Sequence, residues 1–307
     1  MSGLLQIGDP PRRRHRDRPD WLRIRYRQTP ELESVQRLVR DLRLHTVCES
    51  AACPNLSECW SRGTATFMIG GERCTRRCGF CDVRTARPDP LDPDEPRRVA
   101  EGVRALGLRF AVVTAVARDD VPDGGAEHFA ATLRALHELA PTCRVEVLIP
   151  DFKGLESSLR TVLDAEPDVL NHNLETVERL QRRVRPQARY DRSLGLLATS
   201  HRLRPEIPTK TGIMLGLGES LDEVRAALQD IRAQDCSLLT IGQYLRPGPD
   251  HLPVERYVPP AEFERLEAEA RAMGFREVAS GPLVRSSYRA ERLAAALAGG
   301  RTERVAL

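Results

Sequence analysis

The sequence predicts an α/β fold, a partial parallel (β/α)6 barrel with a cysteine-rich extension before it and a second extension after it. Three observations support this prediction. Beyond residue 64, short apolar segments alternate with helical segments, as in parallel sheets whose helices lie outside. A polar loop follows each predicted strand, which is where barrels carry their chemistry. Six of the eight cysteines lie between residues 48 and 81, before and just after the first strand.

The spacing of apolar residues predicts each element. Leu32, Val35 and Leu38 recur at helical spacing and predict a first helix over residues 31–44. The predicted strands cover residues 66–70, 110–115, 145–149, 168–172, 208–214 and 238–244. The predicted helices cover residues 97–106, 126–139, 155–164, 175–183, 191–203, 220–233 and 260–273. A flat doubly wound sheet remains an alternative, although no G-x-G-x-x-G turn follows the first strand.

Four regions are expected along the chain. They are a basic, flexible arm over residues 1–30, a helix with a cysteine segment over 31–63, the barrel over 64–280, and a C-terminal segment with the motif RSSY over 281–307. Eight arginines lie between Arg12 and Arg27, and no apolar stretch follows them that would make a signal peptide. The alternative to a disordered arm is a docking arm for an acidic partner.

Composition excludes several classes of protein. Lys and Arg total 47 against 44 Asp and Glu, and this net charge of +3 does not favour a nucleic-acid-binding protein. No apolar run approaches the ~18 residues that a membrane-spanning helix needs. We therefore expect a cytoplasmic protein that binds neither nucleic acid nor a membrane.

The first cysteine group is the motif CTRRCGFC, which places Cys74, Cys78 and Cys81 in one loop after the first strand. A structural zinc site needs four closed ligands, and this loop offers three thiolates. An iron–sulfur cube with one iron left open fits three thiolates better. An incomplete zinc site is the alternative.

The second group, CESAACPNLSEC, places Cys48, Cys53 and Cys59 before the barrel. A second cluster is the favoured interpretation, and a zinc site completed by His45 is the alternative. The remaining cysteines, 143 and 236, are expected to be small apolar core residues.

The first motif, with Phe80 before its last cysteine, resembles the radical S-adenosylmethionine superfamily. Several stretches are similar to the lipoyl synthase family within it, among them TVCESAACPNLSECW, DVLNHNLETV, KTGIMLGLGES and GPLVRSSYRA. The resemblance runs from about Pro19 to Ala290. It implies that the open iron binds S-adenosylmethionine through its amino and carboxylate groups. It also implies that one-electron reduction yields a 5′-deoxyadenosyl radical that abstracts hydrogen from unactivated carbon.

The resemblance further implies that two sulfur atoms are inserted at C6 and C8 of a protein-bound octanoyl-lysine, with two S-adenosylmethionine molecules used per lipoyl group. Two [4Fe–4S] clusters are implied, and the auxiliary one on Cys48, Cys53 and Cys59 would supply the sulfur. By family analogy the RSSY motif adds a fourth ligand, placed on Ser287 rather than Ser286. Without the resemblance, these hydroxyls would be read as a helix cap.

The implied partners are the octanoylated lipoyl carrier domains of 2-oxoacid dehydrogenases and of the glycine cleavage system, an electron donor and an iron–sulfur carrier. Other functions remain open as alternatives. They are a different radical enzyme with an extra cluster, such as a methylthiotransferase, and a zinc-bearing nucleic-acid module. An aromatic content of only 5% disfavours the nucleic-acid module.

Polar residues at predicted strand ends are candidate contacts to S-adenosylmethionine. Thr114, Asn171 and Glu175 are expected to bind the cofactor together with Phe80, with loop capping as the alternative. Two histidines, 128 and 172, are expected to be structural. The chain has only two lysines, 153 and 210, and a functional ammonium at either is an alternative to a solvated surface residue.

Overall fold

The fold is built on one eight-stranded sheet whose strand order equals the chain order. The structure, a computed structural model, describes residues 18–23, 30–47, 53, 55, 56, 59, 65–288 and 290. The strands are β1 (His45–Thr46), β2 (Thr66–Ile69), β3 (Phe110–Ala115), β4 (Arg144–Leu148), β5 (Val169–Asn171), β6 (Thr209–Leu215), β7 (Leu238–Gln243) and β8 (Glu277–Gly281). β1 pairs with β2 antiparallel, and β2 to β8 run parallel.

One helix, α1 (Pro30–Asp41), precedes the sheet. The helices that connect the parallel strands are α2 (Glu95–Ala105), α3 (Ala126–Leu139), α4 (Glu156–Asp164), α5 (Gln181–Val184), α6 (Tyr190–Leu203), α7 (Leu221–Arg232) and α8 (Pro260–Ala272). Local chemistry explains where some of them begin. The Ser220 hydroxyl accepts a hydrogen bond from the Glu223 backbone N–H, and the Glu223 carboxylate accepts one from the Ser220 backbone N–H. This reciprocal capping box satisfies both N–H groups at the start of α7.

Alternate residues of the strands face opposite sides of the sheet. In β7, Leu239 and Ile241 pack in the same apolar core as Phe263 and Leu266 of α8. Leu238 points to the other face, where it joins a small buried cluster at the N-terminal ends of the strands, formed with residues 110, 112, 169 and 290. Apolar side chains therefore fill the inner face of the sheet at the N-terminal ends of the strands. The space toward the C-terminal ends is left for a site.

The predicted α/β barrel is confirmed, and its six strands correspond to β2 through β7. Sequential strand order is that of a barrel, whereas a doubly wound sheet reverses direction at a switch point, so this alternative is wrong. The sheet is open, because its outer strands β1 and β8 are at opposite ends of the strand order. Neither of these two strands was predicted.

The predicted helix over 175–183 is wrong in its first half. Glu175 has a left-handed backbone, with φ of 69°, and forms a bridge to Ile213 of β6. Its N–H donates to the Gly212 carbonyl at 2.9 Å, which extends the pairing between strands instead of starting a helix. A 3-10 turn follows at Glu178–Leu180, and the α-helix starts only at residue 181.

Several predictions concern residues that the structure does not describe. Cys48 and most of the arginine-rich arm lie outside the described residues. The proposed region boundaries likewise remain predictions. Cys143 and Cys236 are both buried in the apolar cores, as predicted. In the part of the chain that is described, we find no helix with the length and apolar character to cross a membrane.

Candidate active site

A cavity of about 1090 Å³ lies along the inner face of the sheet. Both cysteine groups contribute to its wall: Cys74, Cys78 and Cys81 from the first, and Cys53 from the second. Ser287 of the C-terminal segment lines the same cavity. The fold thus brings to one chamber residues that are more than two hundred positions apart in the sequence.

The loop that carries the first group is held by backbone contacts on several sides. The Ala117 N–H, which follows β3, donates to the Cys74 sulfur at 3.3 Å. The Gly79 N–H donates to the Val184 carbonyl at 2.9 Å, and the Gly79 carbonyl accepts from Leu252 at 3.0 Å. A Cβ at Gly79 would lie 2.8 Å from the Leu252 side chain, so this close approach requires glycine.

The thiols of this loop are partly buried and free of disulfides. Burial raises the pKa of Cys78, and it raises the pKa of Cys81 to about 12. A neutral thiol is thus favoured when no cation is bound, because a thiolate loses its hydration here. Metal binding reverses this preference, since a coordinated thiol is deprotonated.

Glu175 and Arg185 form a polar group beside the cysteines. The Asn173 side-chain amide group donates to the Glu175 carboxylate at 3.0 Å. The Arg185 guanidinium donates to the backbone carbonyl of Asn173 at 2.8 Å. Burial raises the pKa of Glu175, although the charge of Arg185 opposes this effect. Within the described chain the side-chain carbonyl of Asn173 is buried without a hydrogen-bond partner, which leaves it available to a bound molecule.

Cys53 lies in a different part of the wall, near the C-terminal segment. The Asn55 side chain donates to the Leu283 carbonyl at 2.7 Å, which ties the cysteine segment to the RSSY segment. Burial raises the pKa of Cys53. Arg285 lines this part of the cavity as well.

Comparison with known proteins assigns the family. Residues 68–231 match the model of the radical SAM superfamily. The chain is 57% identical over 279 residues to the lipoyl synthase of Methylococcus capsulatus, covering 91% of this chain and 87% of that protein. The chain belongs to the lipoyl synthase family. The lipoyl synthase of Thermus thermophilus is 54% identical over 280 residues, with the same coverage of both chains.

Solved structures agree with this family assignment at the level of the fold. The structure of HydG, a maturase of the [FeFe]-hydrogenase, superimposes with a TM-score of 0.54 at 15% identity, covering 83% of this chain and 56% of that one. Streptococcus suis SuiB bound to its precursor peptide gives a TM-score of 0.53 at 11% identity, covering 73% of this chain and 51% of that one.

A lipoyl synthase is a radical SAM sulfurtransferase, so a [4Fe–4S] cluster and S-adenosylmethionine are the cofactors, and a second, auxiliary cluster is typical of the family. The residues present fit such groups. Three unpaired thiols of the first loop face one cavity. No three His, Cys, Asp or Glu side chains in the described ranges converge on a single ion position. A cube differs from a single ion because each thiolate binds its own iron.

Membership of the lipoyl synthase family also excludes the two alternative functions considered for this chain. A methylthiotransferase and a zinc-bearing nucleic-acid module are both wrong, because the relatives are lipoyl synthases over about nine-tenths of the chain. His45, the alternative zinc ligand, lies on β1, where its ring contacts the Glu72 carboxylate at 3.1 Å.

Three of the four predicted S-adenosylmethionine contacts line the cavity: Phe80, Thr114 and Glu175. Asn171 does not. Its side chain is fully buried and donates to Glu146 at 2.7 Å, inside the barrel next to Lys210. This placement gives no support to the predicted S-adenosylmethionine contact of Asn171, which stays a prediction.

The remaining candidate metal ligands are placed unevenly. Cys53 and Ser287 line the cavity. Cys59 is partly buried and packs against the apolar core that surrounds the first half of the sheet. Cys48 lies outside the described residues.

The two histidines have structural partners. His172 is buried, and its ring nitrogens contact the Ile149 carbonyl at 2.9 Å and the Ser193 hydroxyl at 3.0 Å. Burial, reinforced by the charge of Arg185, lowers the pKa of His172 to about 4, so the ring is neutral near pH 7. His128 contacts the buried Glu95 carboxylate at 2.6 Å.

Sequence reasoning missed several polar residues of the cavity and of the surroundings of the cysteine loop, among them Arg76, Arg185 and His251. Arg76 and Arg185 both line the cavity. The His251 ring contacts the Cys81 carbonyl at 3.1 Å. The only available signal was that Arg76 lies inside the cysteine motif; the others lie far away in sequence.

Proposed function

We propose that this chain inserts two sulfur atoms, at C6 and C8, into an octanoyl chain carried on a lysine of a lipoyl carrier domain. One observation supports this proposal above the others: Cys53 and Ser287 line the same cavity as Cys74, Cys78 and Cys81. An acyl chain in this cavity would be in reach of both cysteine groups, as a reaction that joins hydrogen abstraction to sulfur transfer requires.

In this proposal Cys74, Cys78 and Cys81 hold the cluster that binds S-adenosylmethionine. When bound, the cluster and S-adenosylmethionine together supply a 5′-deoxyadenosyl radical, which no side chain can generate. Around it, Phe80, Thr114 and Glu175 would hold the nucleoside and amino acid portions of the cofactor. The Thr114 hydroxyl donates to the Leu148 carbonyl at 2.9 Å, so its side chain is already oriented.

The auxiliary cluster is proposed to be a substrate, consumed as the sulfur source. Its ligands would be Cys48, Cys53 and Cys59, with Ser287 as the fourth. An oxygen ligand is harder than a thiolate and is less well matched to this cluster. The iron held by Ser287 would consequently be the one released most easily when sulfur leaves.

Apolar side chains would hold the alkyl chain and keep water away from the radical. Met68, Leu148, Ile149 and Met214 all line the cavity between the polar groups. Burying an octanoyl chain against them is favourable at about 0.8 kcal/mol per CH2 group. The same apolar wall would keep dissolved hydrogen donors such as thiols away from the reacting carbon.

The proposed protein partners are octanoylated carrier domains of 2-oxoacid dehydrogenases and of the glycine cleavage system, an electron donor, and an iron–sulfur carrier that rebuilds the auxiliary cluster. The arginine-rich N-terminal arm is proposed to contact an acidic carrier. Arg18 and Arg23 lie in the part of that arm that the structure describes, and both line the cavity.

Isotope transfer tests the proposed sulfur source. The clusters are reconstituted with a heavy sulfur isotope, and the protein is incubated anaerobically with an octanoyl-lysine peptide, S-adenosylmethionine and dithionite. We expect heavy sulfur in the product and about one lipoyl group per chain without a repair system. Unlabelled product, or many turnovers without repair, would refute the proposal.

Two cysteine variants separate the roles of the clusters. Cys53→Ala should still cleave S-adenosylmethionine and abstract hydrogen from the octanoyl chain, yet yield no thiolated product, whereas Cys78→Ala should lose cleavage. Cys143→Ala is the matched control, since this cysteine is buried in the apolar core and does not line the cavity. Thiolated product from Cys53→Ala would contradict the assignment of that residue.

A further inference from the structure

The first cysteine motif contains two adjacent arginines with opposite environments. The Arg76 side chain is buried, only 6% exposed, whereas Arg77 is exposed. The guanidinium of Arg76 forms ion pairs with the carboxylates of Asp119 and Asp151. Burying a cation is costly unless its hydrogen bonds are satisfied, so this arrangement calls for a specific reason.

Arg76 joins three loops that follow three consecutive strands. Its Nε and Nη2 donate to the two Asp119 oxygens at 2.7 and 2.8 Å, in the loop after β3. Nη2 also donates to Asp151 Oδ1 at 2.6 Å, in the loop after β4. The bidentate geometry fixes the plane of the guanidinium as well as its position.

The carboxylates are themselves held in place. Asp151 is fully buried, accepts from Arg192 at 3.2 Å and accepts from the Lys153 N–H at 3.1 Å. The Asp119 N–H donates to the Thr75 hydroxyl at 3.1 Å. Asp151 is therefore held by groups outside the cysteine loop, whereas the Asp119 main chain is hydrogen-bonded to Thr75 of that loop.

The same residue touches the first cysteine directly. Its backbone N–H donates to the Cys74 sulfur at 3.4 Å. Its carbonyl accepts from the Thr85 hydroxyl at 3.0 Å. Between Cys74 and Cys78, the Thr75 hydroxyl also contacts the loop after β3, but the Arg76 side chain reaches the loops after both β3 and β4. The Arg76 main chain in addition contacts a proposed cluster ligand.

We propose that Arg76 is a positioning residue: by anchoring the turn between Cys74 and Cys78 to Asp119 and Asp151, it directs the open position of the proposed cluster into the cavity. This inference rests on the proposed ligand role of the three cysteines. Those cysteines suffice to hold a cluster, so Arg76 would govern its orientation toward S-adenosylmethionine and not its presence.

Substitution of the two neighbouring arginines tests this directly. Arg76→Met removes the guanidinium anchor and keeps an unbranched apolar stem, and Arg77→Met is the matched control on the exposed side of the same turn. The measurements are the iron content, the apparent Kd for S-adenosylmethionine, and the change in the electron paramagnetic resonance spectrum of the reduced cluster when S-adenosylmethionine is added.

We expect Arg76→Met to retain its iron, to raise the Kd for S-adenosylmethionine about tenfold, and to show only about half of the spectral change at ten times the native Kd. Arg77→Met should match the native protein in all three. Arg76→Lys keeps the charge but loses the bidentate geometry, so it should recover only part of the affinity.

Native affinity and a native spectral change in Arg76→Met would overturn the proposal. So would loss of iron from a variant that still melts like the native apoprotein, since Arg76 would then retain the cluster and not orient it. Should Arg76→Met fail to fold, Asp119→Asn decides by the same measurements, with native S-adenosylmethionine affinity counting against the proposal. None of these readouts involves sulfur transfer, so failure of the proposed sulfur chemistry would be distinguishable.

Discussion

Replacing Lys210 with methionine should destabilise the barrel by several kcal/mol. Lys210 and Glu146 are 0% and 1% exposed, inside a barrel, where branched apolar side chains are the rule. The ammonium donates to both carboxylate oxygens, at 2.9 and 2.8 Å. In Lys210→Met, Glu146 would keep the hydrogen bond from Asn171 as its one side-chain contact among the described residues, and it would remain a buried carboxylate without its counter-ion.

Breaking a buried ion pair by removing one partner costs about 3–5 kcal/mol. With an unfolding entropy of about 2.1 cal/mol/K per residue, this loss lowers the Tm of a 307-residue chain by about 5–8 °C. Adding Glu146→Gln should recover most of the loss, because glutamine is neutral and can still accept from Asn171. The penalty thus comes from the unpaired charge and not from the missing ammonium contacts alone.

Thermal and urea unfolding of the apoprotein measure these differences. The matched control is Lys153→Met, the other lysine of the chain, which is exposed and donates to the Asp119 carbonyl at 2.9 Å. We expect this control to lose less than about 1 kcal/mol. Equal stability of the Lys210 and Lys153 variants, or a double variant as unstable as Lys210→Met, would refute this reasoning.

Two further predictions concern the cavity. Ser287→Ala should still cleave S-adenosylmethionine but lose most sulfur insertion, and native yields of lipoyl product by mass spectrometry would rule out Ser287 as a cluster ligand. Burial lowers the pKa of His172 from 6.5 to about 4, so the unfolded chain binds the proton more strongly between these values. Its contribution to stability should be full above pH 6.5 and fall by about 3 kcal/mol as the pH drops to about 4. In urea unfolding at both pH values, His172→Asn should lack this component, and an unchanged pH dependence would disprove it.

Local pattern was enough to predict most of the fold. The six strands from β2 to β7 carry runs of apolar residues that are long and regular enough to be recognised without tertiary contacts. The two strands that escaped prediction are different: β1 has only two residues, and β8 has mainly half-buried residues with little apolar pattern. Both exist because a neighbouring strand offers unpaired backbone groups at the edge of the sheet.

The cysteine spacing was likewise sufficient to indicate the first cluster. Cys74, Cys78 and Cys81 share one short loop, so their proximity is a covalent consequence of the chain. The placement of Cys53 and Ser287 on the same cavity is not such a consequence, since more than two hundred residues separate them. Resemblance suggested that they act together, but the long-range contact from Asn55 to Leu283 is what physically joins their segments.

By itself, then, the sequence determined the strand–helix alternation and the three-thiolate loop, because both depend on residues that are close along the chain. Only the tertiary structure decided which of two equivalent residues faces inward. Arg76 and Arg77 are identical neighbours, yet one is buried against two carboxylates and the other is exposed. Lys210 and Asn171 follow the same rule: Lys210 lies at the start of β6 and Asn171 at the end of β5, and their shared partner, Glu146, comes from β4. Burial of a polar side chain depends on such distant partners, and these exist only once the sheet has formed.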